Sequence, residues 1–330
     1  MMLPLRAVVS SRAIPVLLTA AFYKFVELPD FKALRAPLLE HCERLGVKGT
    51  ILLAEEGING TISGTHGAVH AVLAYLRRDP RLVNLEHKES GAGEMPFYRM
   101  KVRLKKEIVT LGVEGVNPAR MAGTYVTPDD WNKLLDDPNV VFVDVRNDYE
   151  VALGTFKGAL NPQTKSFRDF PAWVASQDQL REKPKVAMFC TGGIRCEKST
   201  AFMRMQGFEN VYHLQGGILK YLETVPASAS RWEGECFVFD ERVAVGQGLQ
   251  PGRYELCRSC REPIGEKDKT SPHYIAGVSC PKCYQSRSEE KKRGLAERHR
   301  QVELAKQRKD SHLGVRQELR KRRGGESESE

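Results

Sequence analysis

Apolar positions recur along the chain with two different periods, and the changes of period divide it into segments. The aromatic-rich run Ala20 to Leu28 (AAFYKFVEL) predicts a strand that Pro29-Asp30 ends. Asp30 is placed to cap a helix reaching about Leu45, with Phe31, Leu34, Leu38, Leu39 and Cys42 at helical spacing. Lys48 to Ala54 predicts a second strand, Glu55 to Gly60 a turn, and Thr61-Ile62-Ser63 the start of a third strand, so these form a hairpin. A second helix is predicted from about Gly67 to Arg78, carrying Val69, Val72, Leu73 and Leu76. Phe97 to Leu104 is taken as the closing strand, followed by a short hairpin through Ile108-Val109-Thr110. The order β-α-β-β-α-β predicts a ferredoxin-like, acylphosphatase-like α+β domain over residues 20–115, with residues 1–19 as its lead.

A different order follows. Gly112 to Gly123 is a connector, and Thr127-Pro128-Asp129-Asp130 caps a helix running to Leu135 with proline in its first turn. Val140 to Val145 (VVFVDV) is a continuous apolar run, the signature of a parallel strand buried on both faces. A helix from Phe170 to Gln177, a strand ending at Phe189, a helix beyond Arg195 and the strand Val211 to Leu214 continue the alternation. Strands alternating with helices predict a small doubly wound α/β domain over 122–226, with its functional loop at the carboxyl end of a central strand.

That loop is Cys190-Thr191-Gly192-Gly193-Ile194-Arg195-Cys196. Strand, tight glycine turn and helix in succession aim backbone N–H groups inward at the helix N-terminus, where negative charge is stabilised. A thiol at its centre has its pKa drawn down, and Arg195 adds a positive charge that deprotonation cannot remove. Cys190 is therefore the candidate nucleophile and Arg195 its electrostatic partner. Cys196 has two readings, a resolving thiol or a packing residue at the helix start, and packing is the favoured one.

Beyond residue 227 the periodicity weakens. Trp232 to Val243 is an aromatic, strand-like run suited to packing on the preceding domain. Cys257-Arg258-Ser259-Cys260 and Cys280-Pro281-Lys282-Cys283 form two C-x-x-C pairs with 19 residues between the inner cysteines. That arrangement predicts one tetrahedral zinc over 227–285, structural in role because four protein ligands leave no open position. His273 lies between the pairs, where it has two readings, a replacement ligand or a surface residue, and the surface reading is the favoured one. From Ser286 a polar helix is predicted with breaks at Gly294 and Gly314; lacking a wide apolar face, it is expected to be extended or disordered when free.

Charge sharpens the picture more than composition does. The 330 residues are 41% hydrophobic and 28% charged, as in an ordinary globular protein. The net charge of +9 is uneven: from Ser286 to Arg323 there are fourteen Lys and Arg against six Asp and Glu. Such a basic segment, running into residues 286–330, points to an anionic partner, nucleic acid first. In the Phe97 to Leu104 strand and just beyond it, Arg99, Lys101, Arg103 and Lys105 alternate with Met100, Val102 and Leu104, which puts four cations on one sheet face or edge. They are candidate RNA contacts; a solvated outer face is the alternative. Eight cysteines, four of them in C-x-x-C pairs, fit a reducing compartment and metal binding rather than a disulfide scaffold. The mildly apolar stretch Ala13 to Phe22 after Arg6 imitates a leader weakly, but Pro15 and its continuation into Tyr23-Lys24-Phe25 make it the approach to a strand. No apolar run approaches the ~20 residues a bilayer span needs, so no membrane partner and a cytoplasmic location are expected.

Several of these segments carry a resemblance. Asp144-Val145-Arg146 with Glu150, Gly158-Ala159-Leu160-Asn161, the Cys190 to Arg195 loop and Leu214-Gln215-Gly216-Gly217-Ile218 resemble, in this order, the signature segments of rhodanese domains. Four residues separate Cys190 from Arg195, as in rhodanese loops; phosphatase loops have five, which disfavours phosphatase chemistry. More specifically, Glu56-Gly57-Ile58-Asn59-Gly60-Thr61, the Cys-Thr-Gly-Gly-Ile-Arg-Cys-Glu-Lys loop and Trp232 to Asp240 (WEGECFVFD) resemble the rhodanese-containing tRNA uridine hydroxylase family. The resemblance implies an enzyme that places a hydroxyl on C5 of the wobble uridine of tRNA, giving 5-hydroxyuridine, with molecular oxygen as co-substrate. No flavin, haem or nicotinamide motif is seen. Oligomeric state is not legible.

Three readings stand at this stage. One is the tRNA hydroxylase, in which the Cys190 thiolate adds covalently to C6 of uracil and makes C5 nucleophilic. The second is a sulfurtransferase carrying a Cys190 persulfide. The third is a non-enzymatic RNA-binding protein, against which the intact thiolate loop argues. The basic ridge, zinc region and tail favour a large anionic substrate and hence the first.

Overall fold

The computed structural model describes residues 17–92, 95–240 and 242–307, in two compact units that divide after Ile108.

In the first unit, β1 (Leu17–Phe25), α1 (Phe31–Arg44), β2 (Lys48–Ala54), β3 (Gly57–Gly64), α2 (His66–Leu76), β4 (His87–Ala92) and β5 (Met100–Leu104) follow one another. The sheet order is β4-β1-β3-β2-β5. β1 pairs antiparallel with β3 and β4, and β2 antiparallel with β3. The first four strands thus make the ferredoxin-like arrangement, with the helices packed on Leu18, Ala20, Phe22, Ile51, Leu53, Ile58 and Ile62.

Here the structure corrects three expectations. The closing strand of the motif is β4, whose polar sequence HKESGA carries no apolar alternation. β5, expected to close the motif, is a fifth strand added parallel to β2 at the far edge, and it begins at Met100 rather than Phe97. A parallel neighbour needs a crossover, and the chain from α2 through β4 supplies it. No hairpin forms at Ile108 to Thr110; instead the Ile108 N–H donates to Glu56 Oε1 at 2.6 Å and its carbonyl accepts from Asn59 Nδ2 at 3.0 Å. The β2–β3 turn is also tighter than predicted, because Ala54 pairs directly with Gly57. Gly57 is obligatory there: at φ 141 its Cβ would lie 2.0 Å from the Lys24 carbonyl oxygen.

The second unit begins with α3 (Pro118–Met121), β6 (Thr124–Val126), α4 (Pro128–Leu135), β7 (Val140–Asp144), α5 (Asp148–Val151), β8 (Gly154–Phe156) and α6 (Phe170–Ser176). It continues with β9 (Lys185–Phe189), α7 (Ile194–Met205), β10 (Val211–Leu214) and α8 (Gly217–Thr224). The all-parallel sheet runs β6-β10-β9-β7, so β9 is interior, as its fully apolar sequence predicts. Val186, Met188 and Cys190 face one helical layer with α6 and α7; Ala187 and Phe189 face the other with α4 and α8. This is the predicted doubly wound domain.

The chain then returns over this domain. β11 (Trp232–Gly234) pairs antiparallel with β8, and β12 (Cys236–Phe237) with β13 (Ala244–Val245). β14 (Glu255–Leu256), β15 (Pro263–Ile264) and α9 (Glu266–Lys269) carry the cysteine pairs, and α10 (Glu289–Gln307) follows. α10 passes through Gly294 without the expected break: a lone glycine costs only about 1 kcal/mol relative to alanine, and i,i+3 pairs Lys292–Glu289 and Arg300–Glu297 brace the exposed face. The lead up to residue 16 and the tail from residue 308, Gly314 included, lie outside the described residues. No helix among the described residues is long and apolar enough to cross a membrane.

Candidate active site and metal centre

β9 delivers Cys190 to its carboxyl end, and the chain turns at once. Gly193, the residue before α7, has φ 107, a left-handed conformation open to glycine but costly to other residues. That conformation turns the Gly193 N–H onto Cys190 Sγ at 3.2 Å. The back of the loop is closed by α8: the N–H groups of Ile218 and Leu219 donate to the carbonyls of Cys190 and Thr191 at 3.0 and 3.1 Å. A Cβ on Gly217 would sit 2.5 Å from the Cys190 carbonyl oxygen, which explains the Gly216-Gly217 pair far along the sequence. In front, a Cβ on Gly192 would meet nothing within 4 Å, so the tip of the loop adjoins open space.

Cys190 is 1% exposed, and burial by itself raises a thiol's pKa. The raising is outweighed by a hydrogen bond from the Cys196 thiol, the Arg195 charge and the backbone N–H groups of Cys196 and Gly193, which together bring Cys190 down to about 6. Cys196 moves the other way. Burial and its donation to Cys190 hold it well above the ordinary thiol value, so it is the proton-bearing member of the pair. Cys236, also buried, is pushed up to about 12 and is inert as a nucleophile.

Arg195 is not a free cation. Its Nη1 and Nη2 each donate at 2.7 Å to the two carboxylate oxygens of Glu150, a bidentate pair with side-chain exposures of 9% and 0%. Glu150 Oε2 also accepts from the Asn147 N–H at 3.0 Å, closing the capping box at the start of α5. Burial alone would raise the Glu150 carboxyl, but the Arg195 guanidinium holds it below its usual range. The sequence pattern flags Glu150 only as a signature position; its partnership with a residue 45 positions away is supplied by the fold. A second buried pair stands beside it. Arg146 donates to Asp144 from Nε at 2.8 Å and Nη2 at 2.5 Å, and reaches the Gly154 carbonyl, while Trp232 from β11 covers the guanidinium at 5.1 Å. These pairs hold β7, α5 and β8 in register beneath the loop. Thr191, Ile194 and Cys196 follow Cys190 as predicted, and Thr191 Oγ1 donates to the Phe237 carbonyl at 3.4 Å. The C-terminal return is therefore part of the loop's wall.

The four cysteines Cys257, Cys260, Cys280 and Cys283 converge, with all four Sγ atoms within 4.8 Å of one another. Cys257–Cys283, Cys260–Cys280 and Cys280–Cys283 are 3.9, 3.7 and 3.8 Å apart. A tetrahedron with Zn–S bonds of about 2.3 Å has edges of about 3.8 Å, so this donor set fits zinc. The Cys280 N–H donates to Cys283 Sγ at 3.3 Å, the outer hydrogen bond a thiolate ligand needs. His273 is exposed and stacks on Tyr284 at 4.4 Å, outside the cluster.

The basic ridge is on β5 of the first unit. Met100 and Val102 enter the core, so Arg99, Lys101 and Arg103 project from the sheet face opposite the helices; Arg99, Arg103 and Lys105 are exposed and Lys101 half-buried. Lys101 shares a row with Thr50, Thr61 and Ala21, and Arg103 shares the next row of the same face with Leu52, Asn59 and Tyr23. Leu104 departs from the predicted alternation and is 39% exposed at the strand's end.

Residues 17–108 match the model of the UPF0176 acylphosphatase-like domain, and residues 127–224 that of the rhodanese-like domain. The tRNA uridine(34) hydroxylase of Acaryochloris marina is 62% identical over 299 residues, covering 91% of this chain and 96% of the relative. The proteins of the same name from Albidiferax ferrireducens and Agrobacterium fabrum are 62% and 58% identical, each over 90% of this chain and 95% of theirs. The chain belongs to the tRNA uridine(34) hydroxylase family.

Proposed function

We propose that this protein hydroxylates C5 of the uridine at position 34 of tRNA, with Cys190 as the covalent nucleophile. The observation that carries the reading is Cys190 buried in a loop whose Gly193 N–H and Arg195 face its sulfur, its thiol drawn down to about 6, in a chain 62% identical over 91% of its length to a relative bearing that name. Uracil C6 is an electron-poor alkene carbon. Addition of Cys190 Sγ forms a C6–S bond, breaks the C5=C6 π bond and places the electron pair on the C5/C4–O enolate. C5 then attacks an electrophilic oxygen. Loss of the C5 proton and of the thiolate restores the ring. Insertion of one oxygen atom is a two-electron oxidation; with molecular oxygen as oxidant, the second atom leaves as water, and an external donor supplies two further electrons.

Arg195 enters this scheme as a field, not as a hand. Both its terminal nitrogens are held by Glu150, so it biases Cys190 toward thiolate while the N–H groups of the loop face the developing charge. Zinc at the four cysteines is structural, holding the C-terminal fold. Arg99, Lys101, Arg103 and Lys105, with the basic tail, supply phosphate contacts to tRNA, and the site of action is the cytoplasm. The sulfurtransferase alternative would use the same thiolate but has no need of this cationic sheet face.

The test is mass spectrometry of tRNA nucleosides from a strain lacking the gene, complemented with wild type or Cys190→Ser. Loss of 5-hydroxyuridine restored only by wild type is expected. Full restoration by Cys190→Ser would exclude covalent addition, and loss of thiolated uridine instead would favour the sulfurtransferase.

A further inference from the structure

Phe239 is 65% exposed, the most exposed of the large hydrophobic side chains among the described residues. A single exposed phenylalanine is ordinary, and three observations set this one apart. First, its ring is the outer member of an aromatic series whose middle residue, Phe237, touches the Cys190 loop. Phe239 meets Phe237 edge to face at 5.0 Å, and Phe237 meets Tyr149 edge to face at 5.3 Å. The Phe237 carbonyl accepts from Thr191, the residue after Cys190, while Tyr149 precedes Glu150, the partner of Arg195.

Second, the turn that presents Phe239 is held in a strained form. Val238 N–H donates to the Val243 carbonyl at 2.8 Å, and Val243 N–H to that of Asp240 at 3.1 Å. Arg242 clamps Asp240 through its backbone N–H, Nε and Nη2. Val243 sits at φ 62, a left-handed conformation that a β-branched residue adopts only when its surroundings impose it. Strain of this kind collects where a particular side-chain placement matters. Third, a Cβ built on Gly192 would meet nothing within 4 Å, so the loop has room on that side.

Resting on the tRNA reading above, we infer that Phe239 is the stacking surface for the base adjoining the target uridine, on its 5′ or 3′ side. The base beside a uridine engaged at Cys190 must lie within one nucleotide step of the loop, and in an anticodon loop it has an open face. An aromatic ring held at the rim accepts any base by its π-face, so it fixes position without reading sequence. The Phe237 contact keeps the ring from collapsing onto the loop. Phe239 is on this account a positioning residue for RNA, separate from the thiolate machinery.

The experiment is a binding cycle on the full-length protein with an anticodon stem–loop RNA bearing uridine at position 34. Wild type and Phe239→Ala are each titrated with the intact RNA and with RNAs abasic at the 5′ or the 3′ neighbour. Expected is a loss of roughly 5- to 100-fold in affinity for Phe239→Ala on intact RNA. One abasic RNA should then bind the two proteins equally, which names the neighbour that stacks. Phe239→Trp should restore affinity and quench 2-aminopurine placed at that neighbour. Affinity within twofold of wild type for Phe239→Ala overturns the inference, as do fully additive losses with both abasic RNAs. A changed rate of Cys190 alkylation by iodoacetamide in Phe239→Ala also overturns it, because the ring would then be serving the loop. Failure of wild type to bind any uridine-34 RNA takes down the underlying reading and the inference together, a result distinct from a wild type that binds and a variant that matches it.

Discussion

Glu150 holds Arg195 by two parallel hydrogen bonds of 2.7 Å, so the one cation of the Cys190 loop has both terminal nitrogens engaged and acts on Cys190 through its field. The arrangement has opposite consequences for stability and for acidity. Glu150→Gln removes a buried negative charge and leaves the guanidinium unpaired, which is expected to cost about 3–5 kcal/mol in urea unfolding. The same change exposes Cys190 to an unscreened positive charge, so its pKa must fall further. Iodoacetamide alkylation followed against pH reads that shift directly. A pKa that rose, or a protein as stable as wild type, would show that the pair is not the electrostatic unit described.

Cys196 sets the upper side of the same balance. In the native loop Cys190 titrates at about 6, far below an ordinary thiol, and the Cys196 thiol is its first stabilising partner after burial raises it. Because the folded value is depressed, thiolate dominates at pH 7 and is lost as pH falls through 6. Cys196→Ala removes one donor and leaves burial in place, so the alkylation profile must move to higher pH. Cys196→Ser, with a hydroxyl donor, is expected to recover part of the shift. Equal profiles for wild type and Cys196→Ala would return Cys196 to a packing role alone.

How much of this was legible follows from where each signal lives. β9 and the Cys190 loop were readable because a buried parallel strand has to be apolar throughout and a tight turn into a helix has to carry glycine. The convergence of the four cysteines was readable because a single tetrahedral metal site dictates their spacing. β4 was not, since HKESGA lies at a sheet edge and is held by backbone pairing to β1, which leaves no apolar period to detect. Nor was Glu150: the pair it forms with Arg195 depends on α5 and α7 meeting at the ends of neighbouring strands. Gly294 misled for a simpler reason, because one glycine's cost is smaller than what a 19-residue helix braced by side-chain pairs can absorb.

The cysteine tetrad predicts a metal stoichiometry and a local failure. Purified protein should hold one equivalent of zinc, measured by atomic emission. Cys257→Ser or Cys280→Ser should abolish it and expose the β14–β15 region to proteolysis, since this segment's buried cluster consists of the cysteines and Ile264 with little else. Cys190 alkylation kinetics should stay at wild-type values, because the metal ligands contribute nothing to the loop's hydrogen bonds. One equivalent of iron in place of zinc would contradict the structural assignment.

The sheet face of the first unit makes a prediction about salt. Lys101 and Arg103 project from the edge strand, and the Lys101 row continues through the small residues Thr50, Thr61 and Ala21, which gives a phosphate backbone room to approach along that row. If both cations neutralise phosphates, each removes a counterion from RNA, and the slope of log affinity against log salt carries roughly 0.7–0.9 per contact. Lys101→Gln with Arg103→Gln should therefore weaken tRNA binding at low salt and flatten the slope by about 1.4–1.8. Stability should be unchanged, because neither side chain enters the core formed by Met100 and Val102. Truncation after Cys283 should flatten the slope separately, through loss of the basic tail, and the two changes should add if the surfaces bind different phosphates. A slope untouched by the double substitution would make this face an ordinary solvated one, and the tail would then carry the electrostatic share of tRNA binding.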